Sequence, residues 1–172
     1  AIIDELNVKF RDETAIRSMM ARMSDAKQSS EDRRRAIAIL TGNKIPGCNE
    51  PLQKLLADES VRQAAIIGLA NYNDANTPKL ILDIYAKLSP EEKADAVTTL
   101  ASRATYATAL LDAVEKGTIP KTDITAFTAR QIAALKDKDV VAKLEKVWGK
   151  VQPASANRKA LMDKYKAILT TD

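Results

Sequence analysis

Residues 58–74 read DESVRQAAIIGLANYND and carry the clearest helical pattern in the chain. An acidic start is followed by Val61-Arg62, by an apolar run at helical spacing and by a polar stop. Apolar residues that recur every three or four positions predict an amphipathic helix. A hydroxyl side chain suits the position just before a helix, so we expect Ser60 to cap this one.

Related stretches lie on either side of this helix. RRRAIAIL (33–40), VRQAAIIGL (61–69) and EKADAVTTL (92–100) each begin polar and end on leucine. Their closing leucines recur about every 30 residues, and the intervals between them predict second helices around 50–57, 77–87 and 104–116. Helix pairs repeating at this period are typical of an α-solenoid, in which each pair is buried against its neighbours.

Signals for helix ends are frequent along the chain. Ser89-Pro90-Glu91-Glu92 combines a hydroxyl cap, an early proline and first-turn acids. Further starts are predicted at Asn49 with Pro51, at Thr77-Pro78 and at Thr122-Asp123. Gly117 and Gly149 each follow a lysine and are predicted to end helices in the left-handed conformation.

Composition narrows the functional classes. The 172 residues are 45% hydrophobic and 29% charged, with five glycines, which favours a folded all-α protein. The chain has no histidine, so Ser-His-Asp chemistry is excluded and the commonest metal and haem ligand is missing. Cys48 is the only cysteine, which excludes an internal disulfide, and we expect a partly buried free thiol in a turn.

These patterns predict an all-α, right-handed superhelix of about ten helices, HEAT- or armadillo-like, forming a single domain over 1–172. The expected subdivision is an irregular N-terminal cap (1–28), repeats at 29–57, 58–88, 89–117 and 118–149, and a C-terminal capping helix (155–170).

The first resemblance concerns one helix. Asp58, Val61, Arg62, Ala65 and Leu69 follow the spacing of the first helix of a HEAT repeat, which this stretch resembles. The resemblance implies that Asp58 and Arg62 link adjacent repeats. It also implies that Val61, Ala65 and Leu69 pack inward.

The second resemblance covers the C-terminal 70 residues. Its residues include Ser102-Arg103, Leu110-Leu111, Ala113, Gly117, Ile119, Ala129-Arg130-Gln131, Leu135, Leu144, Trp148-Gly149 and Lys164-Tyr165. This part is similar to the HEAT-like region of planctomycete-type membrane-bound dehydrogenases, where it lies between a propeller and a c-type cytochrome domain. The resemblance implies an exported or periplasmic protein, with haem only in the adjacent domain and none in this chain.

The net charge of +4 is concentrated mildly towards the C-terminus. Lys143, Lys146 and Lys150 share a helix face, with Arg158 and Lys159 further along, and they form the candidate interaction surface. The competing interpretation is a solvated face opposite Val140, Leu144, Val147 and Trp148, and we favour it because no stacking aromatics accompany the lysines.

Three other features have simple structural interpretations. Arg33-Arg34-Arg35 is expected on a helix surface. Asp137, Asp139 and Glu145 are expected to mark a helix start facing water rather than a metal site, because hard cations need more convergent oxygens. Trp148 is expected to lie in the core rather than to anchor an interface.

The sequence therefore predicts a non-catalytic scaffold or protein-interaction module, whose partners are other proteins or neighbouring domains. The alternative is a free-standing HEAT-like protein that binds nucleic acid through its C-terminal lysines, which the mild charge disfavours. An enzyme with an unrecognised enclosed site is a third option.

No apolar run approaches the length of a membrane span, and the start AIIDELNVKF is too short and acidic for a signal peptide. We therefore expect no direct membrane insertion, and either a cytosolic chain or a piece of a longer protein.

Overall fold

The computed structural model describes residues 2–151 and residue 162, and this part of the chain is helical without β-strands. The prediction of an all-α fold is confirmed for these residues, which form ten α-helices. The helices are α1 Ile2–Lys9, α2 Glu13–Ser24, α3 Ser30–Gly42, α4 Asn49–Leu55, α5 Arg62–Leu69, α6 Thr77–Ile84, α7 Pro90–Leu100, α8 Ala104–Glu115, α9 Ala126–Ala133 and α10 Lys138–Val147. Short 3-10 turns, Tyr85–Lys87 and Lys121–Asp123, follow α6 and precede α9.

Several predicted helix ends are confirmed. Ser89 forms a full capping box on α7: its hydroxyl accepts from the Glu92 N–H, and the Glu92 carboxylate accepts from the Ser89 N–H. Asp137 caps α10 by accepting from the N–H groups of Asp139 and Val140. Gly117 and Gly149 have positive φ angles of 75° and 114°, which suit a residue without a side chain.

The prediction for Ser60 is wrong. Helix α5 begins at Arg62 after Val61, and no side chain caps it. The Ser60 hydroxyl instead donates to Asp58 Oδ1 at 2.7 Å. The Ser60 N–H donates to the same oxygen at 3.0 Å, so the side chain is held within the loop before α5.

Two other predicted helix starts are shifted. Thr77 is already inside α6, and its N–H donates to the carboxylate of Asp74, 3.1 Å away. Asp123 ends a 3-10 turn, and α9 is capped by the hydroxyl of Thr125. Helix α6 follows Asn76 without a capping side chain, whereas Thr125 caps α9 by accepting from the Thr128 N–H at 3.1 Å.

The helices contact one another in a regular order. Helix α3 packs on α5 and α5 on α7, whereas α6 packs on α8 and α8 on α10. Helices α2 and α3, α4 and α5, α7 and α8, and α9 and α10 also pack as chain neighbours. Alternate helices thus contact one another in two series, α3–α5–α7 and α6–α8–α10.

The apolar core is continuous through these contacts. Its members run from Val8 in α1 to Leu144 in α10, and most are aliphatic or alanine side chains. Small side chains let the helices approach closely, as where Gly68 of α5 meets Thr41 of α3.

The structure describes most of the predicted N-terminal cap and little of the predicted C-terminal capping helix. Helices α1 and α2 occupy the segment predicted as an N-terminal cap. The predicted C-terminal capping helix, 155–170, lies outside the described residues except for Met162, which is helical.

Candidate interaction surface

Arg33 is the centre of a buried polar cluster between α3 and the loop before α5. Its side chain is only 4% exposed, and Nη1 lies 2.8 Å from Asp58 Oδ2. Its Nε donates to the Met23 carbonyl at 3.1 Å. The prediction that all three arginines of 33–35 lie on a helix surface is therefore wrong for Arg33, whereas Arg34 and Arg35 are exposed. Arg33 shares helical spacing with Ala36, Ile37 and Leu40, all of which are buried, and this spacing was the signal that the sequence offered for its burial. The acidic partner, Asp58, lies 25 residues away and had no such signal.

Arg62 connects α5 in the opposite direction. Its Nη1 lies 3.8 Å from Glu92 in α7, and its Nε donates to the Leu56 carbonyl at 2.8 Å. Asp58 and Arg62 thus contact the preceding and the following helix pair, respectively. Val61, Ala65 and Leu69 are all buried.

Further hydrogen bonds cross between helix pairs. Thr99 donates to the Ile66 carbonyl at 3.0 Å, and Arg103 donates to the Ala70 carbonyl. The Tyr106 hydroxyl donates to the Tyr72 carbonyl at 2.9 Å and accepts from the Asp74 N–H at 3.0 Å. Carbonyl groups at the end of α5 and just after it thereby receive hydrogen bonds from side chains in and near α7 and α8.

Two of the five basic residues of the candidate surface are ion-paired. Lys143 is ion-paired with Asp112 of α8 and lies 3.8 Å from Glu115, and Lys146 lies 2.5 Å from the same glutamate. Lys150 is exposed. Arg158 and Lys159 lie outside the described residues. Within the described part, Lys143 and Lys146 act as bridges between α10 and α8.

Trp148 lies at the end of α10 and is partly buried against the core. Its indole Nε1 donates to the Ile124 carbonyl at 2.9 Å, which satisfies the one polar atom of the ring. The ring therefore joins α10 to the loop before α9.

Asp137 and Asp139 lie at the start of α10, where Asp137 is the cap and Asp139 is in the first turn. Across residues 2–151 and 162, no group of three or more acidic or cysteine side chains is arranged to hold a metal ion.

Cys48 is fully buried at the start of α4, which corrects the expectation of partial burial. It packs inside the core cluster, and this burial raises the pKa of its thiol above the ordinary value. The thiol is thus kept in its unreactive protonated form.

The surface has two hollows that the sequence did not predict. One, of about 480 Å³, lies between α6 and α8 and includes Pro78, Leu82 and Ala113. The other has two adjoining parts of about 470 and 310 Å³, between α1 and α3 and between α3 and α5. Ile67 lines the second hollow and is 49% exposed. An aliphatic residue at an outward position of its helix was the signal in the sequence that could have indicated this hollow.

No protein-family model matches the chain, and comparison with curated proteins and with solved structures gives no match. Within the part of the chain that the structure describes, none of the helices combines the length and apolar character needed to cross a bilayer.

Proposed function

We propose that the chain is a non-catalytic helical-repeat scaffold, a HEAT-like α-solenoid that winds as a right-handed superhelix and holds protein partners or neighbouring domains. Its helix pairs would each be stabilised by the pair before and the pair after. Such arrays present long surfaces on which partner proteins bind.

The observation that carries this proposal is the sequence separation of the bonds between helix pairs. Seven hydrogen bonds, spread from α5 to α10, join residues that are 31 to 34 positions apart. Other bonds between distant residues differ, as for Arg34 with Ser60 at 26 positions and Tyr85 with Asp123 at 38. The recurrence of separations near 31–34 supports the proposal, because contacts between equivalent positions of successive units would produce it.

The chemistry of the side chains supports a role without catalysis. The chain lacks histidine, and its one thiol is buried with a raised pKa. The most strongly connected polar groups, Arg33, Asp58 and Arg62, bind carbonyls and carboxylates of neighbouring helices. Their contacts serve packing between helices.

The resemblance of the C-terminal 70 residues extends the proposal. In the dehydrogenases that this region is similar to, HEAT-like helices separate a propeller from a c-type cytochrome domain. We propose the same position for this chain, as a spacer within an exported redox protein. Haem would then belong to the adjacent domain.

Nucleic-acid binding is the weaker alternative. A phosphate-binding surface needs lysines that are free to replace counterions on the nucleic-acid backbone. Lys143 and Lys146 are already paired with Asp112 and Glu115, so phosphate would have to compete with two carboxylates of the same molecule.

The decisive experiment is to determine the reading frame that flanks this chain in its source genome. We expect a C-x-x-C-H haem-attachment motif within about 50 residues downstream, together with an upstream export signal. A stop codon directly after Asp172 would refute the spacer role and leave a free-standing helical-repeat protein.

A further inference from the structure

A surface groove made of two adjoining hollows extends across helices α1, α3 and α5. Its two parts meet at Ala38 and Gly42 of α3, which line both. Ala64 and Ile67 of α5 line one part, so this end is apolar. We call this surface, bounded by α1, α3 and α5, the α3 groove.

The groove exists because small residues face each other across α3 and α5. Gly68 lies so close to Thr41 that an added Cβ would come within 2.8 Å of its methyl group. Ala38 and Gly42 are themselves exposed, and a Cβ added at Gly42 would meet no atom within 4 Å. Ile67 stands at the edge with about half of its surface exposed.

The other end of the α3 groove is positively charged. Lys9 of α1 and Arg35 of α3 line it, opposite one carboxylate, Glu5. Neither cation takes part in an ion pair within residues 2–151 and 162, whereas Lys54, Lys79 and Lys146 each do. The groove therefore offers an apolar floor beside an excess of unneutralised positive charge.

From this arrangement we infer that the α3 groove binds an amphipathic helix of a protein partner, with aliphatic side chains over Ala38 and Ile67 and a carboxylate beside Lys9 and Arg35. A helix laid in an apolar groove binds through side chains on one face, three or four residues apart. Complementary charge at the rim fixes orientation and speeds association. The inference rests on the proposed scaffold role and names the surface through which it acts.

The test uses two fluorescent peptides of about 14 residues, roughly four helical turns, with leucines on one face. One peptide carries glutamates on its polar face and the other carries lysines at the same positions. Fluorescence anisotropy with the full chain should show saturable binding of the glutamate peptide only. Ile67→Asp and Arg35→Glu should each weaken it about tenfold, the effect of losing one central contact.

Matched controls alter similar residues elsewhere. Phe127→Asp removes an exposed apolar side chain, and Lys121→Glu reverses an exposed charge, both away from the α3 groove. Both should bind the glutamate peptide as the unaltered chain does. Circular dichroism should confirm equal helicity in all four variants, since each altered side chain is exposed.

Three results with the peptides would overturn the inference. They are absence of binding by the glutamate peptide, binding unaffected by both groove variants, and equal binding of the lysine peptide. The inference would also be overturned if mixed-sequence duplex DNA displaced the glutamate peptide from the unaltered chain and failed to bind Arg35→Glu. That result would assign the α3 groove to phosphate. None of these results bears on the flanking reading frame, so the spacer role and the groove fail independently.

Discussion

At the scale of single residues, the ion pair of Arg33 and Asp58 is the polar contact most sensitive to change. Arg33 is almost completely buried, and Asp58 is 34% exposed. Removing one partner of a buried pair leaves an uncompensated charge, which costs several kcal/mol. Because Asp58 is partly solvated and Arg33 keeps its bond to the Met23 carbonyl, we expect Asp58→Ala to lower the free energy of unfolding by about 2 kcal/mol.

Urea denaturation measures this change as a lower midpoint at an unchanged slope. The control is Glu13→Ala, which removes the exposed pair with Arg17 and should change the free energy of unfolding by less than about 0.5 kcal/mol. Equal effects of the two substitutions would contradict the importance of burial.

The same carboxylate predicts a pH dependence. The Ser60 hydroxyl and then Arg33 stabilise its ionised form and lower its pKa below the ordinary value. A group with a lowered folded pKa stabilises the protein above its unfolded pKa, near 4, and loses this contribution as the pH falls. Asp58→Ala should therefore flatten the loss of stability below about pH 4, measured by urea denaturation at each pH. This role would be contradicted if the free energy of unfolding of Asp58→Ala fell with decreasing pH as steeply as that of the unaltered chain.

The burial of Cys48 leads to a prediction about how fast its thiol reacts. A thiol that is fully buried and has a raised pKa reacts with a disulfide reagent only when the structure opens. We expect negligible labelling of the native protein, and labelling in urea that follows the unfolding transition seen by circular dichroism. Rapid labelling without denaturant would show that the turn before α4 opens locally.

At the scale of elements, the contact of α3 with α5 depends on a glycine. Replacing Gly by Ala inside a helix normally stabilises it by up to about 1 kcal/mol. At Gly68 the new methyl would meet Thr41, whose hydroxyl is held by the Ile37 carbonyl at 2.9 Å, so the neighbour has little freedom to move. We expect Gly68→Ala to destabilise the protein by about 1–3 kcal/mol.

Gly42 provides the matched control on the partner helix. A Cβ added there meets no atom within 4 Å, so Gly42→Ala should be neutral or stabilising by about 0.5 kcal/mol. Thermal unfolding of the two variants should shift in opposite directions or differ clearly in size. Similar shifts would mean that α3 and α5 pack less closely than the geometry indicates.

At the scale of the whole molecule, neighbour-to-neighbour packing predicts local responses to damage. Leu110 of α8 is fully buried, and α8 contacts α6, α7 and α10 but lies far along the chain from α2 and α3. In a repeat array, Leu110→Ala should lower hydrogen-exchange protection in α6, α7, α8 and α10 more than in α2 and α3. Leu40→Ala in α3 should produce the reverse pattern, and uniform loss in both variants would favour a single cooperative unit.

The distribution of ion pairs makes a second prediction at this scale. With Lys143 and Lys146 paired to acids, we expect only weak, non-specific retention of duplex DNA at about 0.15 M salt. Asp112→Asn with Glu115→Gln should strengthen this retention by freeing both lysines. Tight binding by the unaltered chain, reduced by Lys146→Glu, would instead support the nucleic-acid alternative.

Helix content and the positions of most helices followed from local signals in the sequence. The Ser89 capping box, the left-handed Gly117 and the apolar spacing of 61–69 act within one or two turns, so neighbouring residues suffice to predict them. The predicted start of α9 was wrong because Thr125, and not Asp123, accepts from a first-turn N–H group.

The sequence by itself therefore determined that residues 2–151 are helical without strands, about where most of these helices begin and end, and that the chain lacks the histidine of common catalytic sites. Only the tertiary structure decided which charges pair with each other, which lysines are neutralised and where a groove stays open. Arg33 finds Asp58 25 positions away, and Lys143 finds Asp112 31 positions away. Such partners depend on which helices pack together, and that choice is made by the burial of apolar surface summed over the whole chain.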